Sequence, residues 1–262
     1  MKRHFFKTGI TLSLLCGLAA SPAVSHSEAR NGSASRPTSS RQVALNEEAH
    51  REYIDGEMAL KNRNFAIAED YFRGTLAIRP DGAAYFSLAL ALSAQGKQLE
   101  AIQTYEKLFH PDGHVSFGGS YFSRAHLEYA LLLDQMGNWP EAVGNYQSGV
   151  STLGSGNGPK PNVEFAPNIP QPMALAAAIH IALGIDADAQ LNNLGEYDHV
   201  RAFNEYAQAL KLNPDWAVAN YYYGYGLRQS GRRAEAQVAF QKAAQLDNGE
   251  IKAAAEKALI GQ

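Results

Sequence analysis

Cysteine is nearly missing from this chain: among 262 residues the only one is Cys16, inside an apolar run close to the N-terminus. Downstream of that run there is no thiol, which excludes disulfides, zinc–thiolate sites and a cysteine nucleophile. Charge is also sparse at 19%, and 23 basic residues face 26 acidic ones for a net charge of −3. A nucleic-acid binder needs clustered Lys and Arg to displace counterions, so nucleic acid is excluded as a partner class. No apolar run reaches the about 20 residues that span a bilayer. Hydrophobic residues, at 45%, are plentiful enough to imply a buried core.

The N-terminus has the layout of an export signal. Lys2, Arg3 and Lys7 precede the apolar stretch "ITLSLLCGLAA", Ile10 to Ala20, and "SPA" ends at Ala23 with small residues where cleavage requires them. "SEA", ending at Ala29, is an alternative cleavage point. A signal over residues 1–23 leaves 20 basic residues against 26 acidic ones, a net charge of −6. The expected location is therefore periplasmic or secreted. "LSLLCG" also resembles a bacterial lipoprotein signal, whose cysteine becomes the lipidated N-terminus, but Leu15 stands where that signal carries a small residue. Membrane attachment is expected only if Cys16 is lipidated. Residues 24–46, with "SHSEARNGSASRPTSSRQ", are polar and aperiodic, too poor in apolar surface to offset ordering entropy, and are expected to form a flexible tether.

From Glu47 onward one pattern returns. An alanine is followed four residues later by an aromatic, three later by a small or apolar residue, and often five later by proline. Ala68, Phe72, Thr75 and Pro80 come first; Ala101, Tyr105 and Leu108 follow, with Pro111 two places early. Then come Ala142, Tyr146 and Gly149; Ala202, Tyr206, Ala209 and Pro214; and Ala236, Phe240 and Ala243. Gly96, Gly137, Gly195 and Gly231 precede four of these alanines by a few residues, where a left-handed backbone ends the preceding helix.

Five ordered copies resemble the tetratricopeptide repeat family, whose 34-residue unit is a pair of antiparallel helices, and with the leader the chain is similar to exported bacterial members. The resemblance implies an all-α fold: a right-handed superhelical solenoid of about five helix pairs over residues 47–248. In that register "NYYYGYGL", within residues 220–231, is the first helix of the fifth pair rather than a tyrosine-rich strand, and Gly224 makes a close helix contact. "GEIKAAAEKALIGQ", residues 249–262, is expected to cap the open end. Two irregularities interrupt the period. "PDGHVSFGGS" loosens the junction between pairs two and three, and residues 154–172 form a loop between pairs three and four. That loop either folds over the groove as a lid or stays solvated.

In this family the first helices line a concave groove. Carried over repeat by repeat, the most inward position falls on Tyr53, Phe86, Leu127, Ile181 and Tyr221; one turn on lie Glu57, Leu90, Leu131, Ile185 and Tyr225; another turn gives Leu60, Ser93, Asp134, Asp188 and Arg228. Tyr53, Phe86, Leu127, Ile181, Tyr221, Tyr225 and Arg228 are the candidate protein-binding set, although any of the apolar ones can instead complete the core. Some family members grip a carboxylate with inward Lys, Asn and Arg. Here Tyr53, Glu57, Phe86 and Leu90 occupy those positions, so that clamp is not expected.

Chemistry finds no foothold in the sequence. "HPDGH", His110 to His114, is a turn signal whose histidines share no helical face. "GGSYF" around Ser120 lacks the final glycine of a nucleophile elbow, and "GSGNG" at Gly154 lacks the lysine of a phosphate loop. Asp186 and Asp188 diverge on a helix. No cofactor, metal or catalysis is expected. The sequence points to a monomeric, non-catalytic scaffold in the cell envelope whose partner is another protein or peptide, with a carrier of a small apolar molecule or lipid as the alternative.

Overall fold

The computed structural model describes residues 40–109, 121–153, 171–189 and 198–261, all within one compact unit spanning residues 39–262. The described residues are helical in eleven segments. Pair one is α1 (Ser40–Lys61) with α2 (Phe65–Ile78), and pair two is α3 (Gly82–Ala94) with α4 (Gln98–Phe109). Pair three is α5 (Tyr121–Gln135) with α6 (Trp139–Thr152), and pair four is α7 (Gln171–Ala189) with α8 (His199–Leu212). Pair five is α9 (Ala217–Gln229) with α10 (Arg233–Leu246), and α11 (Glu250–Ile260) packs against it. The fold is an all-α solenoid of five helix pairs closed by a capping helix.

The repeat residues do what their spacing requires. Ala68, Ala101, Ala142, Ala202 and Ala236 are all buried, and so are the aromatics one turn on, Phe72, Tyr105, Tyr146, Tyr206 and Phe240. A methyl is the largest group that lets the second helix lie against the first. The ring that follows then fills the space towards the neighbouring helix. A Cβ added to Gly224 would lie 3.0 Å from the Phe240 ring, so the expected close contact is present. The turns obey the same logic. Gly96, Gly137 and Gly231 have φ of 76°, 78° and 75°, and in pair one the exposed Arg63 takes that place at φ 61°. Gly195 lies outside the described residues.

Two helix N-termini are capped by the residue types that favour them. Asp81 accepts a hydrogen bond from the Ala84 amide at the start of α3, and Asp198 from the Arg201 amide at the start of α8. α11 buries Ile251, Ala255 and Ala258 and leaves its outer side to water.

Three boundaries differ from expectation. α1 starts at Ser40, so the last seven residues of the expected 24–46 tether are helical. Arg41, Gln42, Ala44, Glu47 and Glu48 are good helix formers and extend the helix beyond its packed part. α7 starts at Gln171, inside the expected 154–172 loop. The rest of that loop lies outside the described residues, as do the expected signal, Cys16, "HPDGH" and Ser120. Finally, the pairs do not stack uniformly. α2 packs closely on α3 and α8 on α9, whereas α4 meets α5 and α6 meets α7 only lightly, and α7 leans on α5 instead. The thin junctions are the two that the sequence marks as irregular.

Candidate functional site

The first helices of the pairs carry the expected groove residues, and burial sorts them. Phe86, Leu127 and Ile181 are at most 1% exposed. They belong to the core, and the expectation that they contact a partner is corrected. The cause is packing between pairs: Phe86 faces Tyr121 with ring centroids 6.4 Å apart, and the Leu127 side chain fills the space above Gly149. Tyr221 is also buried, edge-on to Tyr222 at 5.2 Å and against Phe240 at 5.7 Å. Of the seven candidates, Tyr53, Tyr225 and Arg228 keep accessible surface.

These three lie at opposite ends of the stack. In pair five, Arg228 holds its guanidinium 5.4 Å from the Tyr225 ring centre and 5.6 Å from that of Phe240. Tyr225 Oη accepts a hydrogen bond from Gln229 Nε2 at 3.0 Å. The result is a half-exposed aromatic plate with a cation laid over it. In pair one, Tyr53 packs against Phe72 at 5.9 Å, and the Ser87 hydroxyl of pair two donates to Glu57 Oε1. Burial pushes the Tyr53 hydroxyl well above the usual phenol range, helped by the Glu57 carboxylate. Tyr53 therefore acts as a neutral donor or acceptor, and Glu57 is an acid at the same end.

Between these ends lies a feature the groove register did not include. Arg201 of α8 donates to Glu128 of α5 at 2.8 Å and lies 3.8 Å from Glu205, one turn along its own helix. Arg124 Nε is 3.7 Å from Glu128, and its guanidinium sits 5.3 Å from the Phe86 ring centre. His180 Nδ1 of α7 is 2.7 Å from Glu205. Asp186, also on α7, is buried among these groups; desolvation raises its carboxyl to about 6 despite the opposing pull of Arg201 and Arg124. Burial likewise pulls Arg124 down, with the like charge of Arg201 adding to it, whereas Glu128 and Glu205 hold Arg201 up. The sequence did contain a signal for this network. Arg124 with Glu128 and Arg201 with Glu205 are both i, i+4 pairs of opposite charge. Chemically the network joins pairs three and four, across the junction where α6 gives α7 little support.

Some expected inner positions serve other ends. Leu90 and Leu131 are half-buried against the core. Asp188 accepts from the Tyr206 hydroxyl at 2.8 Å and lies 2.8 Å from His199 Nδ1, which ties α7 to α8. Asp134 has a buried oxygen, and burial raises its carboxyl. Among the described residues no group of three or more His, Cys, Asp or Glu is placed to hold a metal ion, and no helix is long and apolar enough to cross a membrane.

No family model matches the chain, and no curated protein matches it either. Among solved structures, MamA from Desulfovibrio magneticus RS-1 aligns at 15% identity and a TM-score of 0.39, over 77% of this chain and 96% of that one. The Pseudomonas aeruginosa pilF structure aligns at 16% identity and a TM-score of 0.41, over 79% of each chain. Another MamA structure aligns at 18% identity and 0.39, over 77% and 92%. At these low scores the fold rests on the helices themselves.

Proposed function

We propose that this chain is a non-catalytic scaffold that captures another protein, holding an apolar or aromatic peptide or helix along the inner side of its first helices. The observation that carries this reading is the Tyr225–Arg228 plate. An aromatic ring with a cation over it keeps accessible surface in a row where Phe86, Leu127 and Ile181 have none. Aromatic and arginine side chains supply large contact area and dominate binding energy at protein interfaces. Tyr53 with Glu57 supplies a second, acidic anchor at the far end, so a partner lying along the row meets acid at pair one and base at pair five. The reading places the protein in the cell envelope, on the strength of the Lys2-to-Ala23 leader pattern.

The test is proximity labelling in the native host with the unaltered chain and with Tyr225→Ala combined with Arg228→Ala. Both side chains are part-exposed, so the double variant should keep its helical circular dichroism. A labelled set of proteins that disappears in the variant supports the reading. An identical set from both chains refutes it.

A further inference from the structure

Behind α9, on the side away from Tyr225, there is an open hollow of about 390 Å³. It is lined by Asn220, Tyr223 and Leu227 of α9, by Leu210 and Pro214 at the end of pair four, and by Glu235, Val238, Ala239 and Lys242 of α10. On a helix turning 100° per residue, Asn220, Tyr223 and Leu227 lie on the opposite side from Tyr221, Tyr225 and Arg228. The hollow is therefore separate from the row of inner residues.

The repeat register explains why it is empty. Asn220 stands sixteen positions before the repeat alanine Ala236; at the same distance stand Tyr85 before Ala101 and His126 before Ala142. In pair three that ring is in use: His126 stacks on Phe109 at 4.0 Å and meets Phe122 edge-on at 4.4 Å. Phe109 in turn corresponds to Leu210, each lying eight residues after its repeat alanine. At the last junction both rings are thus replaced by smaller side chains. Asn220 does not fill the gap, because its amide is drawn onto its own backbone, donating to the carbonyls of Pro214 and Trp216 at 2.9 Å each.

The rim carries charge of both signs. Glu235 and Lys242 share one face of α10, seven residues or about 10 Å apart. Their present partners are Arg232 and Asp215, both in exposed pairs. Such pairs are worth little and can be exchanged for a partner's charges. Val238 lies between them, 66% exposed at the mouth.

We propose that this hollow is a docking slot for an aromatic side chain on a partner segment that places a basic residue at Glu235 and an acidic residue at Lys242. The incoming ring takes the place that His126 fills at the junction of pairs two and three. Side chains of an extended segment alternate faces, so the aromatic and both charges take alternate positions, with the charges four residues or about 13 Å apart and the long Glu235 and Lys242 side chains making up the difference.

The probe is the peptide acetyl-Lys-Ala-Trp-Ala-Glu-amide, titrated into the isotope-labelled full chain and followed by amide NMR. The expected result is saturable shifts confined to residues of α8, α9 and α10 that line the hollow. Val238→Glu, at an exposed position, should weaken binding at least about tenfold, because the new carboxylate replaces apolar surface at the mouth and pairs with Lys242 one turn on, taking away the cation that the peptide's Glu needs. Glu235→Lys combined with Lys242→Glu should reject this peptide and accept acetyl-Glu-Ala-Trp-Ala-Lys-amide instead. Absence of localised shifts at millimolar peptide overturns the proposal, as do shifts centred on Tyr225, equal affinity in the Val238→Glu chain, or indifference to charge reversal. Loss of the Tyr225–Arg228 labelling result would leave this slot untouched, since the two lie on different faces.

Discussion

Gly184 lies in the middle of α7, where an alanine would ordinarily strengthen the helix by up to about 1 kcal/mol. Here the neighbouring ring forbids it. A Cβ on Gly184 would lie 2.2 Å from Tyr206 Cε1 and 2.6 Å from its Cδ1. The ring has little freedom to retreat. Its hydroxyl is held by Asp188 at 2.8 Å, its centre is 5.3 Å from that of Tyr222, and Gly226 approaches it from α9. Overpacking a rigid core costs about 1–3 kcal/mol. Set against the propensity gain, Gly184→Ala should destabilise by about 1–2 kcal/mol. Denaturant unfolding followed by far-UV circular dichroism measures this directly. Two companions make the attribution specific. Gly144→Ala on α6, exposed and with nothing within 4 Å of the new Cβ, should stabilise by up to about 1 kcal/mol. In a Tyr206→Leu background the ring is gone, and Gly184→Ala should turn neutral or stabilising. If Gly184→Ala stabilises the unaltered chain, the close packing of pair four is not as described.

Arg63 occupies the left-handed turn that glycine fills in later pairs, and Arg63→Gly should stabilise by about 1 kcal/mol by removing that strain; a loss of stability would contradict the turn geometry. Arg201→Ala removes the cation shared by Glu128 and Glu205, leaving Glu128 to Arg124 and Glu205 to His180, and should cost about 1.5–3 kcal/mol, with part recovered by adding Glu128→Gln, both read by denaturant unfolding. Asp186 keeps its proton to about pH 6 in the folded chain against 3.8 as a free side chain. Its stabilising contribution is therefore complete below about pH 4 and lost as pH rises through 6. Asp186→Asn should remove that loss, up to about 3 kcal/mol, and an unchanged stability profile between pH 4 and 6 would count against it. Glu69 is the opposite case: burial alone would raise it, but hydrogen bonds from Lys97, Gln95 and Arg73 bring it down to about 2. Its contribution is present above pH 4.5 and lost as pH falls towards 2. With Arg73 and Lys97 part-exposed and screened, Glu69→Gln should cost about 1–2 kcal/mol near neutral pH and flatten the acid limb of the profile.

Local spacing made the fold legible. The alanine-to-aromatic interval sets which residues face each other within a pair, and Ala68 with Phe72 or Ala236 with Phe240 land where that interval puts them. The turn glycines were readable for the same reason, since only the backbone at Gly96, Gly137 and Gly231 decides their residue type. Arg63 escaped notice because an arginine can occupy the same φ at a cost that composition does not display.

The inner row was less legible. Helical period shows which side of α3, α5 and α7 Phe86, Leu127 and Ile181 occupy, but whether that side meets water depends on how closely successive pairs approach. That approach is not local. Where α7 leans on α5 rather than on α6, the apolar positions close over and the charged ones are drawn together. The Arg124–Glu128 and Arg201–Glu205 spacings were visible as two separate surface pairs. Their meeting across three helices depends on the thin junction between pairs three and four. The hollow behind α9 was invisible for a related reason. It arises from what Asn220 and Leu210 lack relative to His126 and Phe109, a contrast that acquires meaning once those rings are seen to stack.

The central claim is that a partner protein lies against the Tyr225–Arg228 plate. A photo-crosslinking amino acid installed at position 225 in the native host tests it, with position 139, an exposed tryptophan site at the start of α6, as the control. The account predicts a discrete adduct from 225 that is absent from 139. Equal crosslinking at the two positions, or none at 225, would contradict it.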